Sequence, residues 1–404
     1  MNKIEQLIQQ YCPDGVEFKK LGECLLKNIG GGTPSKARPE YWNGNIPWAS
    51  VKDVVSCGTI IYDTQDFITE EGLNNSPCNI VPKGEIIMIT RINPGHALIA
   101  GKDIAINQDL RGLFLKEFLN KKFLVYYFQI LKIEGNGTTV KGISIDELEK
   151  ITIPIPPLPV QQEIVSILDT FTLLEAELEA ELEARKKQYE HYRTKLLTFN
   201  DIWGGAKWLT LNEIGIMVRG NGLQKKDFTE SGVGCIHYGQ IYTYYGTSTD
   251  KTKSFVSPEL AKKLKKAQKG DLIITNTSEN IEDVCKAVVW LGDEEIVTGG
   301  HATIFKHNQN PKYLAYYTQT SMFMAEKKKY ATGTKVIDVS ARSMGKIEIP
   351  IPPLSEQNRI VEILDKFDAL VNDISVGLPA EITARRKQYE HYRGRLLNFK
   401  NVNN

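Results

Sequence analysis

Cysteine is scarce and scattered in these 404 residues: Cys12, Cys24, Cys57, Cys78, Cys235 and Cys285 include no CxxC pair. No histidine stands at metal-ligand spacing beside them, so neither a zinc ribbon nor a disulfide framework is indicated, and reduced, mostly buried thiols are expected. No run of ~18 apolar residues occurs, and Met1 to Gln10 carry no basic stretch followed by an apolar one; a soluble, unexported, cytoplasmic chain with no membrane contact is expected. Phosphate-cradling loops are missing as well. There is no P-loop, and neither Gly135-Asn-Gly137 nor Gly220-Asn-Gly222 extends to GxGxxG after a buried strand. An Asn-Pro-Pro-aromatic motif, which would present a flipped adenine, is absent; Pro156-Pro157 stand between Ile155 and Leu158 with no Asn before them. The six histidines form no nucleophile or metal constellation. These absences speak against a self-contained methyltransferase or nuclease, and neither a cofactor nor a metal is expected.

Excess charge is lacking too. The chain has 50 basic and 49 acidic residues. Residues 1–150 hold 17 basic against 18 acidic groups, 151–199 hold 5 against 8, 200–346 hold 20 against 15, and 347–404 hold 8 against 8. Phosphate affinity scales with the cations set against a nucleic-acid backbone. A chain this neutral either holds DNA weakly or borrows cationic surface from partners, and the second reading is preferred.

What is present is duplication. Ile151-Thr-Ile-Pro-Ile-Pro-Pro-Leu158 returns as Ile347-Glu-Ile-Pro-Ile-Pro-Pro-Leu354, and IVSILDTF from Ile164 returns as IVEILDKF from Ile360, both at an offset of 196. ARKKQYEHYRTKLLTF from Ala184 recurs as ARRKQYEHYRGRLLNF from Ala384 at an offset of 200, so the second copy holds four extra residues, about one helical turn. Upstream the likeness is fainter, at an offset of 190: Phe18, Leu21 and Glu23 fall on Trp208, Leu211 and Glu213, and Leu124-Val-Tyr-Tyr127 on Leu314-Ala-Tyr-Tyr317. The chain therefore reads as a variable domain (1–150), a constant segment (151–199), a second variable domain (200–346) and a second constant segment (347–404).

Each constant segment opens with alternating Ile and then Pro-Pro, a short strand closed by residues that cannot continue a ladder. A long helix comes next. Ile167, Phe171, Leu174 and Leu178 step by three and four, and the stripe resumes at Tyr189, Tyr192, Leu196 and Phe199. Between them Leu174, Leu178 and Leu182 repeat every four residues, which predicts a local shift of the seam. In the second copy Gly377 and Pro379 predict an interruption. The variable domains read as short strands, such as Glu85 to Thr90 and Asp271 to Thr275, between Gly, Asn and Pro turns. The expected fold is mixed α/β (α+β), with two tandem domains each followed by a long helix.

A helix of ~40 residues is ~60 Å long and needs a partner along its length. Antiparallel packing of the two constant helices covers both apolar stripes and gives the duplication a pseudo-two-fold axis. Such a frame suits the reading of two separated half-sites on opposite DNA strands, with helix length setting the gap. Tyr189, Tyr192, Leu196, Tyr389, Tyr392 and Leu396 are the candidate helix-interface residues. The near-identity of KQYEHYR in both copies fits either one kind of partner surface used twice or packing of the helices on each other.

IPIPPLPVQQEIVSILDTF with ARKKQYEHYRTKLLTF, and IPIPPLSEQNRIVEILDKF with LPAEITARRKQYEHYRGRLLNF, closely resemble the two conserved regions of type I restriction-modification specificity subunits. GGGTPSKARPEYWNGNIPWASVKDV (30–54) also looks like the opening of a target recognition domain in that family. The resemblance implies a non-catalytic subunit that binds double-stranded DNA, two methyltransferase (modification) subunits and a motor and endonuclease (restriction) subunit. It also implies a bipartite DNA target with adenine methylation directed by this chain. The second domain departs from the pattern, with Arg219-Gly-Asn-Gly and Ile236-His-Tyr in place of Gly-Gly-Thr-Pro and Ile-Pro-Trp.

Base edges are read by paired hydrogen bonds: Arg suits guanine, Asn or Gln suits adenine, and Ser or Thr serves either. The candidates are Thr33, Ser35, Lys36, Arg91, Gln108 and Arg111 in the first domain, and Arg219, Asn221, Gln224, Lys225, Asn276 and His301 in the second. Each taken singly is more often an ordinary solvated loop residue than a base contact; their clustering near aligned loops is what unites them. The lysine run Lys262, Lys263, Lys265, Lys266 and Lys269, and the run Lys327 to Lys329, either track phosphates or form solvated faces. Trp48, Tyr238 and the Tyr-Tyr pairs at 126 and 316 read as core aromatics.

Overall fold

The computed structural model describes residues 3–136, 141–199, 206–373 and 375–402, with the side chains of residues 3–5 left aside. It divides into two compact units, one of residues 1–177 and 383–404 and the other of residues 178–382. Each unit thus holds one variable domain, the beginning of the helix that follows that domain, and the end of the helix belonging to the other copy.

Short apolar runs form the central strands, Ile86–Ile89, Leu272–Thr275 and Ala287–Trp290 being buried at every position, and the two units repeat one plan. In the first, a five-stranded sheet runs in the order Leu25–Gly30, Leu110–Leu115, Ile86–Ile89, Ala97–Ala100, Ile60–Ile61, beside a four-stranded sheet of Asp66–Ile68, Trp42–Ala49, Ile104–Ile106 and Asn79–Val81. The second has Gly215–Arg219, Ala302–His307, Leu272–Thr275, Ala287–Trp290 and Ser248–Thr249, beside Ser254–Val256, Val233–Ile236, Ile296–Thr298 and Lys265–Ala267. Most pairs are antiparallel, but Trp48 pairs with Ala105 and Cys235 with Val297 in parallel, so the fold is mixed α/β as expected. The Pro-rich strands pair with the strands that open each unit, Phe18 opposite Pro154 and Trp208 opposite Pro350.

The first constant helix runs unbroken over Leu158–Leu197. Its counterpart is split into Leu354–Asn372 and Leu378–Leu396, with Gly377 before the restart and Pro379 in the new first turn. A buried glutamine hooks each helix to its domain. Gln161 Nε2 donates to Phe118 O (2.9 Å) and Pro156 O (2.7 Å), while Asn120 N donates to Gln161 Oε1 (2.7 Å). In the second unit Gln357 Nε2 donates to Pro352 O (2.8 Å), and Asn310 N to Gln357 Oε1 (3.0 Å). Two turns on, Tyr126 and Lys122 both bond Asp169, and Tyr316 and Lys312 both bond Asp365. Burial pushes both tyrosine hydroxyls above their ordinary pKa, which keeps them as donors. The Tyr-Tyr pairs are therefore core residues, as the sequence suggests, and the polar tip of the first member of each pair orients a helix.

Within the first unit Phe171 packs on Tyr392 and Tyr389 (ring centroids 5.4 and 6.4 Å), and Glu175 pairs with Arg386. Residue numbers rise on one helix as they fall on the other, so the helices run antiparallel. Within the second unit Phe367 makes the matching contacts with Tyr192 and Tyr189 (5.4 and 6.2 Å). Arg193 and Arg393 lie over the rings of Tyr189 and Tyr389 and donate to Gln319 and Gln129. Leu196 and Leu396 pack against the two main cores. Tyr189, Tyr192, Tyr389 and Tyr392 thus take part in this chain's own helix packing, and Leu196 and Leu396 in the packing of the helix ends on the domain cores; such packing is one of the two explanations open for the repeated KQYEHYR block.

The seam differs from the expectation in one respect. Along the first helix the less exposed positions include 171, 175, 178, 182, 185 and 189, a heptad spacing that continues through the leucine-rich tetrapeptides. Leucines four apart precess by about 40° per step, so three cannot share one narrow face. Leu178 and Leu182 are kept, Leu174 is 39% exposed, and Glu175 and Arg185 fill seam positions.

At the end of the strand Ala302–His307, the imidazole of His307 lies largely buried beside the backbone of Gly270 and Gln309, and burial pushes it down to about 4. Between pH 6.5 and about 4 the unfolded chain takes up a proton that the folded chain refuses. Stability should therefore fall with pH across this window, by up to roughly 3 kcal/mol from this group. His307→Asn keeps an acceptor for Gln309 N. Denaturant titrations at pH 7 and 4.5 should show a smaller loss for this variant than for the parent; equal losses would remove His307 from the account.

Among the described residues, no helix is long and apolar enough to cross a membrane, and no group of three His, Cys, Asp or Glu is placed to hold a metal.

Candidate nucleic-acid interface

In each unit a glycine loop leaves the first strand of the five-stranded sheet and meets the loop entering a neighbouring strand. Gly31 allows this in the first: a Cβ there would lie 2.0 Å from Ile106 O and 2.4 Å from Asn107 O. Gly220 does the same in the second, where a Cβ would lie 2.2 Å from Gly299 O. Only glycine permits so close a backbone approach. Trp48, an expected core aromatic, is buried and braces the first loop by donating Nε1 to Gly32 O (3.0 Å), while Cys78 Sγ donates to the same oxygen (2.9 Å).

The loop meeting assembles a polar chain in the first unit. Thr33 Oγ1 donates to Gln108 Oε1 (2.5 Å), Gln108 Nε2 reaches Asp109 Oδ2 (3.4 Å), and Arg91 Nη1 lies 3.3 Å from Asp109 Oδ1. Ser35 and Lys36 stay exposed beside it. Lys36 borders a surface recess of about 300 Å³ with Trp42, Asn43, Asp66 and Phe67. Arg111 is turned inward. Its Nη1 donates to Asn28 Oδ1 (2.6 Å), Asn28 in turn bonds Glu149, and burial lowers the guanidinium's pKa.

In the second unit Arg219 Nε donates to Gly300 O (3.0 Å), and its Nη2 lies 3.7 Å from Asp338. His301 is exposed, with Nδ1 3.0 Å from Thr277 Oγ1 and its ring 4.8 Å from that of Tyr238. Tyr238, expected in the core, is thus half-buried on this same face. Gln224 and Lys225 are exposed. Beneath them His237 is buried, and burial first, then the charge of Lys225 and His301, lowers its pKa.

Two amides are committed to the fold. Asn276 is fully buried; its Nδ2 donates to Val339 O (2.8 Å) and its Oδ1 accepts from Thr303 Oγ1 (2.9 Å). That corrects its standing as a base reader, because a buried, satisfied amide has no edge to offer DNA. Asn221 is exposed but uses both amide ends on the neighbouring turn, with Nδ2 to Lys263 O (2.9 Å) and Oδ1 from Lys265 N (3.1 Å).

The sequence reading missed a third loop in each unit. Gly142 bridges Arg91 and Asn136, and its counterpart Asp338 bridges Thr277 and Thr332. Ile92, held by donating its N–H to Lys141 O (2.8 Å), has φ +79° and is 59% exposed. Val336 is likewise exposed in the second unit. A signal existed: Gly137-Thr-Thr-Val140 and Gly333-Thr-Lys-Val336 repeat at the offset of 196, although 137–140 lie outside the described residues. Nothing in the sequence marks the conformation of Ile92.

Known proteins carry the same plan. The family model for the type I restriction modification DNA specificity domain matches residues 13–184 and again 207–384. The specificity subunit of an Escherichia coli type I restriction enzyme is 36% identical over 291 residues, covering 69% of this chain and 70% of the relative. A putative type I specificity subunit of Haemophilus influenzae is 33% identical over 410 residues, 95% and 96% of the two chains. In solved structures the fold resembles a chain from a study of type I complex assembly and conformational transition (TM-score 0.64, 15% identity, 95% and 98% covered). It also resembles the S subunit from M. genitalium (TM-score 0.54, 16% identity, 95% and 96% covered). With both halves matched by one family model and close relatives along its length, the chain belongs to the type I restriction-modification DNA specificity subunits, the non-catalytic, DNA-reading members of those complexes.

Proposed function

We propose that each glycine-loop face reads one half of a gapped, bipartite DNA target, and that the paired constant helices set the distance between the halves. The observation that carries this reading is the double construction of one face: a close loop meeting at Gly31 and again at Gly220, each with an arginine, Arg91 or Arg219, oriented by an acid on an adjoining loop. Thr33, Ser35, Lys36, Arg91 and Gln108 are the base-reading candidates in the first domain, and Arg219, Gln224, Lys225 and His301 in the second. Arg111 and Asn221 would have to exchange their present bonds to join them.

In this reading the chain works in the cytoplasm, directs adenine methylation by two modification subunits, and directs cleavage by motor and endonuclease subunits. The helices supply a surface for the modification subunits. Lys187, Glu190 and His191 face solvent, as do Lys387, Glu390 and His391. Their identity in both copies is not required by helix packing, but it is accounted for if two copies of one partner dock there.

Arg219→Ala should relax the preference at one or two positions of a single half-site, at a cost of about 1–3 kcal/mol in discrimination. Competition binding of the assembled methyltransferase to duplexes altered one base at a time measures this. An equal loss at every sequence would assign Arg219 to a phosphate instead.

A further inference from the structure

The two faces differ in charge, and the difference lies in one turn. In the second unit the segment leading into the edge strand Lys265–Ala267 buries every third residue, Ala261, Leu264 and Ala267, in and around a small core shared with Leu223 of the glycine loop. That spacing leaves Lys262, Lys263 and Lys265 exposed together. Asn221 joins the turn to the glycine loop through the two amide bonds described above, bringing it beside Lys225 and Lys226, which are also exposed. Among the described residues none of these five lysines forms an ion pair, whereas Lys266 and Lys269, further along, are held by Glu295 (2.9 Å) and Asp293 (2.7 Å).

The first unit places neutral residues at the matching position. Its equivalent edge strand, Asn79–Val81, comes after Asn74, Asn75, Ser76 and Pro77, and Asn79 Nδ2 donates to Gly30 O (2.9 Å). The glycine loop there contributes Lys36 and Arg38, and Arg38 is paired with Glu40 (3.2 Å).

We propose that the Lys262, Lys263 and Lys265 turn, with Lys225 and Lys226, grips the phosphate backbone flanking the second half-site, and that the first domain has no such grip. The inference rests on the glycine-loop faces being the DNA-reading faces. Five unpaired ammonium groups cost little to hold in water and gain most when their counterpart is a polyanion that releases counterions on binding. Phosphate contacts of this kind fix position and carry no base information; Lys225, the one member of the group that is also a base-reading candidate, adds its charge at the edge of the grip. The second domain then anchors the DNA ionically, and the first relies on base-edge contacts.

The test uses the chain assembled with its modification subunit and a duplex carrying the methylated motif, with affinity measured by fluorescence anisotropy across a salt series. Replacing Lys262, Lys263 and Lys265 together by Gln should lower the slope of log affinity against log salt by roughly 2 to 3, since each lost contact removes ~0.9. The Arg triple variant should keep the parent's slope, and Lys266→Gln with Lys269→Gln should change it little. The preferred bases of the second half-site should be the same in all variants. An unchanged slope in the Gln variant, or altered bases at that half-site, would overturn the phosphate grip. A parent complex that binds matched and unmatched duplexes equally would overturn the DNA-face reading beneath it.

Discussion

Inserting one more Leu-Glu-Ala-Glu unit after Glu177 should widen the gap in the methylated DNA motif by one or two base pairs and leave both half-sites unchanged. The helix Leu158–Leu197 is continuous across the boundary between the two compact units, which falls between Glu177 and Leu178. Four helical residues add ~6 Å and rotate the downstream part of the helix by roughly 40°, comparable with one or two base-pair steps. The contacts this helix makes with each unit lie on either side of the insertion, at Gln161 and Asp169 in one unit and at Tyr189 and Arg193 in the other. Sequence reading by the loops should therefore survive. Four residues break a heptad seam, but local unwinding absorbs such an insertion, and the second copy already holds four more residues than the first. Methylome sequencing of cells expressing the variant gives the answer. An unchanged gap with full methylation would mean that the helices do not measure distance.

The largest stability effect is expected at the buried glutamines. Gln161→Ala removes the partner of three backbone groups, Phe118 O, Pro156 O and Asn120 N, at a site with no solvent exposure. A buried polar group left unsatisfied costs about 1–3 kcal/mol, so a loss of roughly 3–5 kcal/mol is expected if water enters only in part. For a unit of this size that is a fall of roughly 10 °C in Tm. Its exposed neighbour gives the control: Gln162→Ala should change Tm by about a degree or two. Gln357→Ala should repeat the loss in the second unit, where Gln357 also bonds Gln309 (2.8 Å). A Gln161→Ala chain that melts with the parent would show that the hook contributes nothing to stability.

The duplicated frame was legible in the sequence because it rests on periodic burial. Ile-x-Ile-Pro-x-Pro-Pro can only be a short strand that stops, and the three-and-four stepping of apolar residues can only be a helix seeking a partner. The seam through the leucine tetrapeptides was misread because composition favoured leucine, whereas geometry favours whichever residue falls within a narrow face, including Glu175 and Arg185. The candidate face was partly legible. Glycine and amide loops drew attention to the segments that meet at Gly31 and Gly220, and there Thr33, Gln108 and Arg91 are linked through Asp109, while Arg219 bonds Gly300 beside His301. Asn276 failed because an amide's chemistry is the same whether it faces DNA or bonds Val339 and Thr303; only burial distinguishes the two. Asp109 and Asp338, which orient the two arginines, were missed because an acid near DNA looks unfavourable until its bond to a cation is seen.

The most direct measurement is long-read adenine methylation mapping of cells that express this chain with its modification subunit, against cells that express the modification subunit alone. A two-part gapped motif that appears only with the chain, and whose second half alone changes in an Arg219→Ala variant, is the predicted result. A stable complex with a modification subunit active on another specificity chain, yet with no motif methylated, would contradict the reading of these two faces as the determinants of DNA sequence.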